Sequence, residues 1–277
     1  MTRIRLRIDL AYDGAPFAGF ARQPDQTTVQ GTLEGALQRL VGQDVASTGA
    51  GRTDRGVHAR AQVVHVDLDV ASATPEPADH VDRAERALAD LDVLRDRLDQ
   101  LVGPAITIWQ VSSASQAFDA RFSAVARTYR YRLVDAPAAD PILRHDRWHV
   151  GQALDVDAMQ QAGQALVGEL DFASFCRKAP GKHTVRRIER VAVSRPSRGR
   201  VDIRIDGTSF CHQQVRSITG CLVEVGRGRR SSSWVGQVLE ARDRSVAAAV
   251  APPHGLTLER VSYGRWWPAS PPESALG

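Results

Sequence analysis

The chain has 277 residues, of which 43% are hydrophobic and 25% are charged, a mix typical of a globular protein with one large domain or two small ones. It contains no apolar run long enough to cross a bilayer and no signal-peptide pattern, so we expect a cytoplasmic protein without a membrane partner. The net charge of +4 is unevenly distributed, because residues 67–100 hold ten acidic side chains against four arginines. A basic body with an acidic segment indicates a polyanionic partner such as a nucleic acid, with a solvated basic face as the alternative.

The cysteine pattern argues against a metal or redox motif. Cys176, Cys211 and Cys221 lack the C-x-x-C spacing of zinc and disulfide-exchange sites. An odd count without a secretion signal predicts reduced thiols that serve as small buried residues.

Hydrophobic periodicity and turn residues predict the elements in chain order. The first half contains a half-buried strand over 4–10, a helix over about 27–41, a strand over 64–68, a loop over 70–79, and one helix over 84–101. The second half contains strands over 105–111 and 127–134, a helix over 154–168, a loop over 171–184, paired strands over 185–195 and 201–207, helices over 209–226 and 234–243, and a strand over 255–264.

Strands and helices are mixed without strict alternation, and no phosphate-binding glycine motif is present. This order predicts an α+β protein with antiparallel sheets. We expect an N-terminal subdomain over 1–120 with an acidic insert at about 70–100, and a C-terminal subdomain over 121–264. Residues 265–277 are rich in proline and serine and predict a disordered tail.

Asp54 lies between two arginines on a glycine-flanked turn that precedes a strand, in the stretch GAGRTDRGVHA. Such an aspartate commonly bonds to its own backbone in the turn. The functional interpretation is a carboxylate held at a cleft as a nucleophile or base. Arg52 lies two residues earlier and would point to the same side of an extended segment, or simply into solvent.

Two further features favour a site. Arg216 lies beside the apolar Val215 and Ile218 of a predicted helix, where an arginine either pairs with a carboxylate or extends its charged end to solvent. Tyr129 and Tyr131 alternate with arginines on a predicted strand, a pattern that suits a stacked base beside a phosphate. The alternative is a pair of core tyrosines, which we favour for Tyr131.

An ordered set of motifs identifies a family that the chain resembles. The motifs are AYDGAPFAGFARQ, TVQGTLEGAL, GAGRTDRGVHARAQV, FDARFSAVARTYRYRL, DFASFC and SFCHQQVRSITGCLVEVG, followed by APPHGLTLERVSYG. Together they closely resemble the TruA-type tRNA pseudouridine synthases, which isomerise uridines at positions 38 to 40 of the anticodon stem-loop. The resemblance implies the pseudouridine synthase fold, in which two related α+β subdomains form a central cleft.

The resemblance also implies roles for four residues. Asp54 is the nucleophilic catalyst, Arg52 helps to displace the target base, Tyr129 packs on that base, and Arg216 pairs with the catalytic aspartate. The partners are the tRNA anticodon stem-loop and a second copy of the chain in a homodimer. No cofactor or metal is implied, because the reaction loses no atom and changes no oxidation state.

The chain departs from the family pattern next to Asp54, where the family usually has alanine and this sequence has Arg55. In an extended segment its side chain would point away from that of Asp54, toward RNA or into solvent. Further departures are Phe20 in place of a tryptophan, one missing glutamine in that motif, and Gln214 in place of a methionine. Two other classes of protein stay open from the residues alone, a non-catalytic RNA-binding module and a nucleoside glycosidase.

Overall fold

The computed structural model describes residues 2–70, 79–177 and 183–264, and its backbone divides into two compact units. The first unit comprises the chain up to Val125 together with the residues from Arg260 onward, and the second comprises Ala126–Glu259. Each unit combines an antiparallel sheet with α-helices, so the predicted α+β class is confirmed. None of the helices in the described ranges is both long and apolar enough to cross a membrane.

The strands of the first unit are β1 (Thr2–Tyr12), β2 (Ser47–Gly49), β3 (His58–Val70) and β4 (Ile106–Ala114). β1 lies between β3 and β4 and pairs antiparallel with both, and β2 pairs antiparallel with β3. β1 was predicted to be half-buried, but its centre is buried on both faces. The buried polar face holds Arg7 and Asp9, which form an ion pair at 2.7 Å and so satisfy each other's charge.

The helices of the first unit are α1 (Val29–Val41), α2 (Asp79–Leu88) and α3 (Leu91–Val102). α1 confirms the predicted helix and begins at Thr28, whose side chain accepts a hydrogen bond from the Gly31 amide. The single helix predicted over 84–101 is wrong, because Asp90 interrupts it and caps a new helix through the Asp92 and Val93 amides. Most of the loop predicted over 70–79 lies outside the described residues, as does the predicted tail.

The second unit contains the strands β5 (Ala126–Val134), β6 (Trp148–His149), β7 (Gly168–Asp171), β8 (Val185–Ser197) and β9 (Arg200–Gly207). β5, β9, β8 and β7 follow one another as antiparallel neighbours, and the short β6 runs parallel beside β5. β10 (Leu256–Ser262) contributes residues to both units. The pairing of the strands predicted over 185–195 and 201–207 is confirmed, whereas β7 was not predicted.

The helices of the second unit are α4 (Val156–Gln164), α5 (Gln214–Gly226) and α6 (Trp234–Ala241), with 3-10 turns at Leu143–His145, Ala173–Phe175, Arg244–Val246 and Pro253–Gly255. α5 starts five residues later than the predicted 209, because Gln213 has a φ of +65° and cannot continue a right-handed helix. Phe210 therefore lies ahead of α5 rather than in its apolar stripe. The other predicted stripe residues, Val215, Ile218, Leu222 and Val225, are buried.

The prediction of three reduced thiols is wrong for two of them. A disulfide joins Cys176 and Cys211, whose Cα atoms are 5.7 Å apart. Their segments are also bonded through the backbone, since the Arg177 amide donates to the His212 carbonyl at 3.0 Å. Cys221 is a free, buried thiol, and burial raises its pKa to about 11.

Candidate active site

Asp54 lies on a tight turn between β2 and β3. Its carbonyl accepts a hydrogen bond from the Val57 amide at 3.1 Å. Gly56, the third residue of this turn, has a φ of +75°, a conformation that favours glycine. The R-T-D-x-G part of the motif is thus explained locally, because the glycine lets the chain reverse directly after the aspartate.

Thr53 anchors the turn in the core of the first unit. It is buried, and its hydroxyl lies 2.8 Å from the phenol oxygen of Tyr12 in a hydrogen bond. Burial raises the pKa of Tyr12 to about 12, against the weaker opposite effect of its bonds to Thr53 and Gln62. The phenol is therefore neutral at physiological pH. Gln62, fully buried on β3, donates to the Gly51 carbonyl at 2.8 Å and holds the segment ahead of Arg52.

The loop that follows β1 supports the turn from the other side. The Phe20 amide donates to the Thr53 carbonyl at 3.1 Å, and the Gly14 amide donates to Nδ1 of His58 at 3.0 Å. Two glycines allow this close approach. A Cβ on Gly14 would lie 2.1 Å from the Val57 carbonyl oxygen, and Gly19 has a φ of +118°. The backbone at Asp54 is therefore held by contacts on both sides.

The side chains along the turn differ in accessibility. Thr53 is buried, Arg52 and Arg55 are exposed, and Asp54 is intermediate. A partly accessible carboxylate on a fixed backbone suits a reacting group, because it can meet a ligand without a large rearrangement. The predicted site residues Arg52 and Asp54 thus lie together on one rigid segment.

Tyr129 lies on β5 of the second unit, opposite Ile205 of β9. Its side chain is 9% exposed, and its ring meets that of Phe210 edge to face with 5.2 Å between centroids. Tyr131 is fully buried and donates to the Pro252 carbonyl at 2.7 Å, which confirms its predicted place in the core. Burial also raises the pKa of Tyr131.

Arg216 lies in the first turn of α5. Its Nε donates to the Ala251 carbonyl at 2.8 Å, and the Ala251 amide donates to its main-chain carbonyl at 3.2 Å. Gly220, one turn later, makes room for this segment, because a Cβ there would lie 2.1 Å from the Ala249 carbonyl oxygen. The partly buried guanidinium is thus fixed to the segment that leads into β10.

Sequence reasoning missed the residues that support the predicted site. Tyr12 and Gln62 hold the Asp54 turn, and Phe210 packs on Tyr129. A polar Gln62 within an apolar strand was the available signal, since a buried amide needs hydrogen-bond partners. No group of three or more His, Cys, Asp or Glu side chains within the described ranges is arranged to hold a metal.

Comparison with known proteins gives the family. Residues 162–264 match the family model for tRNA pseudouridine synthase. The protein named tRNA pseudouridine synthase A from Frankia casuarinae is 46% identical over 94% of this chain and 89% of its own length. Its namesake from Streptomyces griseus is 42% identical over 94% of this chain and 88% of its own. The protein of the same name from Ralstonia nicotianae is 41% identical over 100% of this chain and 96% of its own length. The chain therefore belongs to the tRNA pseudouridine synthase A family and is an isomerase that forms pseudouridine in tRNA.

Proposed function

We propose that the enzyme isomerises uridines 38, 39 and 40 of the tRNA anticodon stem-loop, with Asp54 as the catalytic nucleophile. The observation that carries this proposal is the turn at Asp54, whose backbone is bonded through Thr53 and Val57 and packed against Gly14 and Gly19. This support gives the Asp54 carboxylate a fixed backbone position, as a reacting group requires.

The reaction sets the demands on the site. The glycosidic bond between N1 of uracil and C1′ of ribose breaks, the uracil rotates, and a bond forms between C5 and C1′ while C5 loses its proton to N1. The target base must first leave the stack, which costs a few kcal/mol. Attack by the aspartate on the ribose, attack on the uracil and elimination to a glycal all require an ionised carboxylate at the target nucleotide.

The remaining residues have roles that the family resemblance suggests. Arg52 is proposed to displace the target base, and its exposed position beside Asp54 supports such a contact. Tyr129 is proposed to pack on the flipped uracil, and Arg216 to pair with the catalytic carboxylate. Because Phe210 holds the Tyr129 ring edge to face and Ala251 accepts from Arg216, both side chains have defined positions within the second unit.

A homodimer in the cytoplasm completes the proposal, and the homodimer rests on the family resemblance. The tRNA substrate agrees with the basic balance of the chain, whose calculated isoelectric point is about 9.3.

The experiment that tests the position is to treat unmodified tRNA transcripts with the purified enzyme and to map pseudouridine along the chain. We expect modification at uridines 38, 39 and 40, and its loss at each position where cytidine replaces uridine. Pseudouridine formed only elsewhere in the tRNA would contradict the proposal. Nucleoside analysis provides a second readout, because isomerisation leaves the mass unchanged whereas glycosidase activity would release free uracil.

A further inference from the structure

A pocket of about 360 Å³ opens in the first unit directly beside the Asp54 turn. It is lined by residues 15–18, residues 25–27 and Arg55. Its volume is at the lower end of the range of small-ligand sites. None of the roles assigned above uses it.

The walls of this pocket are fixed to the proposed catalytic segment. The Ala18 amide donates to the Thr27 carbonyl at 2.8 Å and joins the two stretches of loop that form the walls. The same loop is bonded through Phe20 to the Thr53 carbonyl at 3.1 Å. A ligand in the pocket would therefore have a set position relative to Asp54.

Arg55 supplies the positive charge of the pocket. Its Nη2 donates to the side-chain oxygen of Gln26 at 3.0 Å, so the exposed guanidinium is held at the pocket wall. A guanidinium has five N–H groups, and the bond to Gln26 uses one of them. Its planar, forked shape matches a phosphate group.

The pocket also contains oxygen acceptors beside the guanidinium. Asp25 is exposed at the pocket and has a φ of +56°, next to Gln26 in the same wall. A carboxylate repels phosphate but accepts a hydrogen bond from a ribose hydroxyl. Arg55 and Asp25 therefore offer the pocket a group that suits a phosphate and a group that suits a ribose hydroxyl.

We propose that this Arg55 pocket binds the phosphate and ribose of a nucleotide that flanks the target uridine in the bound tRNA. The inference rests on the proposed role of Asp54. If the target uridine binds at Asp54, a nucleotide at Arg55, the next residue of the protein, would be a neighbour of that uridine. Arg55 increases affinity through the phosphate, and Asp25 recognises the 2′-hydroxyl. Neither residue takes part in bond breaking or bond making.

The first test compares tRNA binding by the wild type, Arg55→Ala and Arg55→Lys across a range of salt concentrations. We expect Arg55→Ala to weaken binding about tenfold at low salt, in the range of a lost charge-assisted hydrogen bond. The slope of log affinity against log salt should fall in magnitude by about 1. Arg55→Lys should keep the slope, since it keeps the charge, and recover only part of the affinity.

Arg95→Ala is the matched control, because Arg95 lies on the acidic helix α3 and pairs with Asp96 at 2.8 Å. It removes the same charge from the same unit and should leave the salt slope unchanged. An equal change in the salt slope in Arg55→Ala and Arg95→Ala would contradict phosphate binding at the Arg55 pocket. Unchanged tRNA binding by Arg55→Ala would contradict it as well. Loss of the rate at saturating tRNA with binding and slope intact would also overturn it, because Arg55 would then act in the chemistry.

The second test uses tRNA with a single 2′-deoxynucleotide on the 5′ or the 3′ side of the target. One of these substitutions should weaken binding to the wild type and have no effect on Asp25→Gly, a change that tolerates the positive φ. If neither substitution distinguishes the two proteins, a nucleotide is not the ligand. Both tests measure binding, so their failure is distinct from failure of the proposed function, which would appear as activity in the absence of the Asp54 carboxylate.

Discussion

Tyr12 and Thr53 form the hydrogen bond that connects the Asp54 turn to the core of the first unit. Both residues are buried, and their oxygen atoms lie 2.8 Å apart. A buried hydroxyl that loses its partner carries the cost of its own desolvation. The position of Asp54 therefore depends on Tyr12, a buried residue that is distant from it in sequence.

Replacing Tyr12 with phenylalanine tests this support. Loss of the bond should lower the free energy of unfolding at neutral pH by about 1 kcal/mol and slow catalysis while tRNA binding stays unchanged.

The Tyr12→Phe variant should also lose less stability than the wild type at alkaline pH. Burial raises the pKa of Tyr12 from 10.0 to about 12, so the fold favours the neutral phenol. The stability that the neutral Tyr12 phenol contributes is therefore fully present below pH 10 and is lost as the pH rises through about 12.

Chemical denaturation of the two proteins between pH 8 and pH 12 provides the measurement. The wild type should lose about 2–3 kcal/mol more than Tyr12→Phe over this range, the equivalent of a shift of about two pKa units. Identical pH dependence in the two proteins would show that the Tyr12 phenol does not titrate with unfolding.

The cysteines give a prediction that needs no substitution. Aerobically purified protein, denatured without reductant, should react with a thiol reagent at one residue, Cys221, because a disulfide joins Cys176 and Cys211. Reductant should raise the count to three. In the native state Cys221 should react slowly, since it is buried and burial raises its pKa to about 11. Three reactive thiols in the unreduced denatured protein would contradict the disulfide.

For single residues, the sequence predicts whether a side chain is buried better than it predicts which residue that side chain contacts. The core position of Tyr131 follows from the alternation of its strand and is confirmed. The pairing of Cys176 with Cys211 does not follow from their spacing, because the fold brings together the residue after the 3-10 turn Ala173–Phe175 and a residue ahead of α5, which are 35 positions apart. Cysteine spacing alone cannot predict such a contact.

At the scale of elements, the loop after β1 and the turn before β3 meet backbone to backbone. Gly14 is the point of closest approach, where a Cβ would lie 2.1 Å from the Val57 carbonyl oxygen. A backbone atom cannot move aside as a flexible side chain can. Glycine is therefore required at this contact for steric reasons.

Gly14→Ala should separate the loop from the turn. We expect a loss of about 2–4 kcal/mol in the free energy of unfolding and a large fall in activity, because the overlap must be relieved by movement of the segment that holds Asp54. Gly35→Ala is the matched control, since Gly35 lies within α1 and a Cβ there would meet nothing within 4 Å. That change should stabilise the protein by up to about 1 kcal/mol and leave activity intact. Equal thermal stability of the two variants would contradict the close approach.

The periodicity of apolar residues does not predict where two of the helices begin. The apolar spacing over 84–101 fits one helix, yet Asp90 accepts from two amides and starts a new one. The start of α5 is set by Gln213, whose left-handed conformation ends the preceding segment. Both boundaries depend on local backbone geometry that a pattern of apolar residues does not encode.

At the scale of the whole molecule, the mixed order of elements correctly predicts the α+β class, and the motifs correctly predict the family. The support of Asp54 could not be predicted, because Gly14 and Val57 are far apart in sequence and meet only in the folded chain. The predicted enzyme class is confirmed by the relatives that share 41–46% of their residues with this chain.

The proposed homodimer leads to a direct expectation in solution. Light scattering should give a mass close to twice the 30.2 kDa of one chain at micromolar concentration, and dilution should leave it unchanged if the dimer is stable. A mass near 30.2 kDa at every concentration would contradict the homodimer. That result would leave the assignment of Asp54 unaffected.

Single-turnover pseudouridine formation by Asp54→Asn is the most direct test of Asp54 as the catalytic nucleophile. Asp44→Asn is the control, because Asp44 is an exposed aspartate of the same unit. Asparagine is nearly isosteric with aspartate and lacks the charge needed for attack. We expect Asp54→Asn to keep the melting temperature and the tRNA affinity of the wild type and to form no detectable pseudouridine, whereas Asp44→Asn should be fully active. Appreciable turnover by purified Asp54→Asn would contradict the assignment of Asp54 as the catalytic nucleophile.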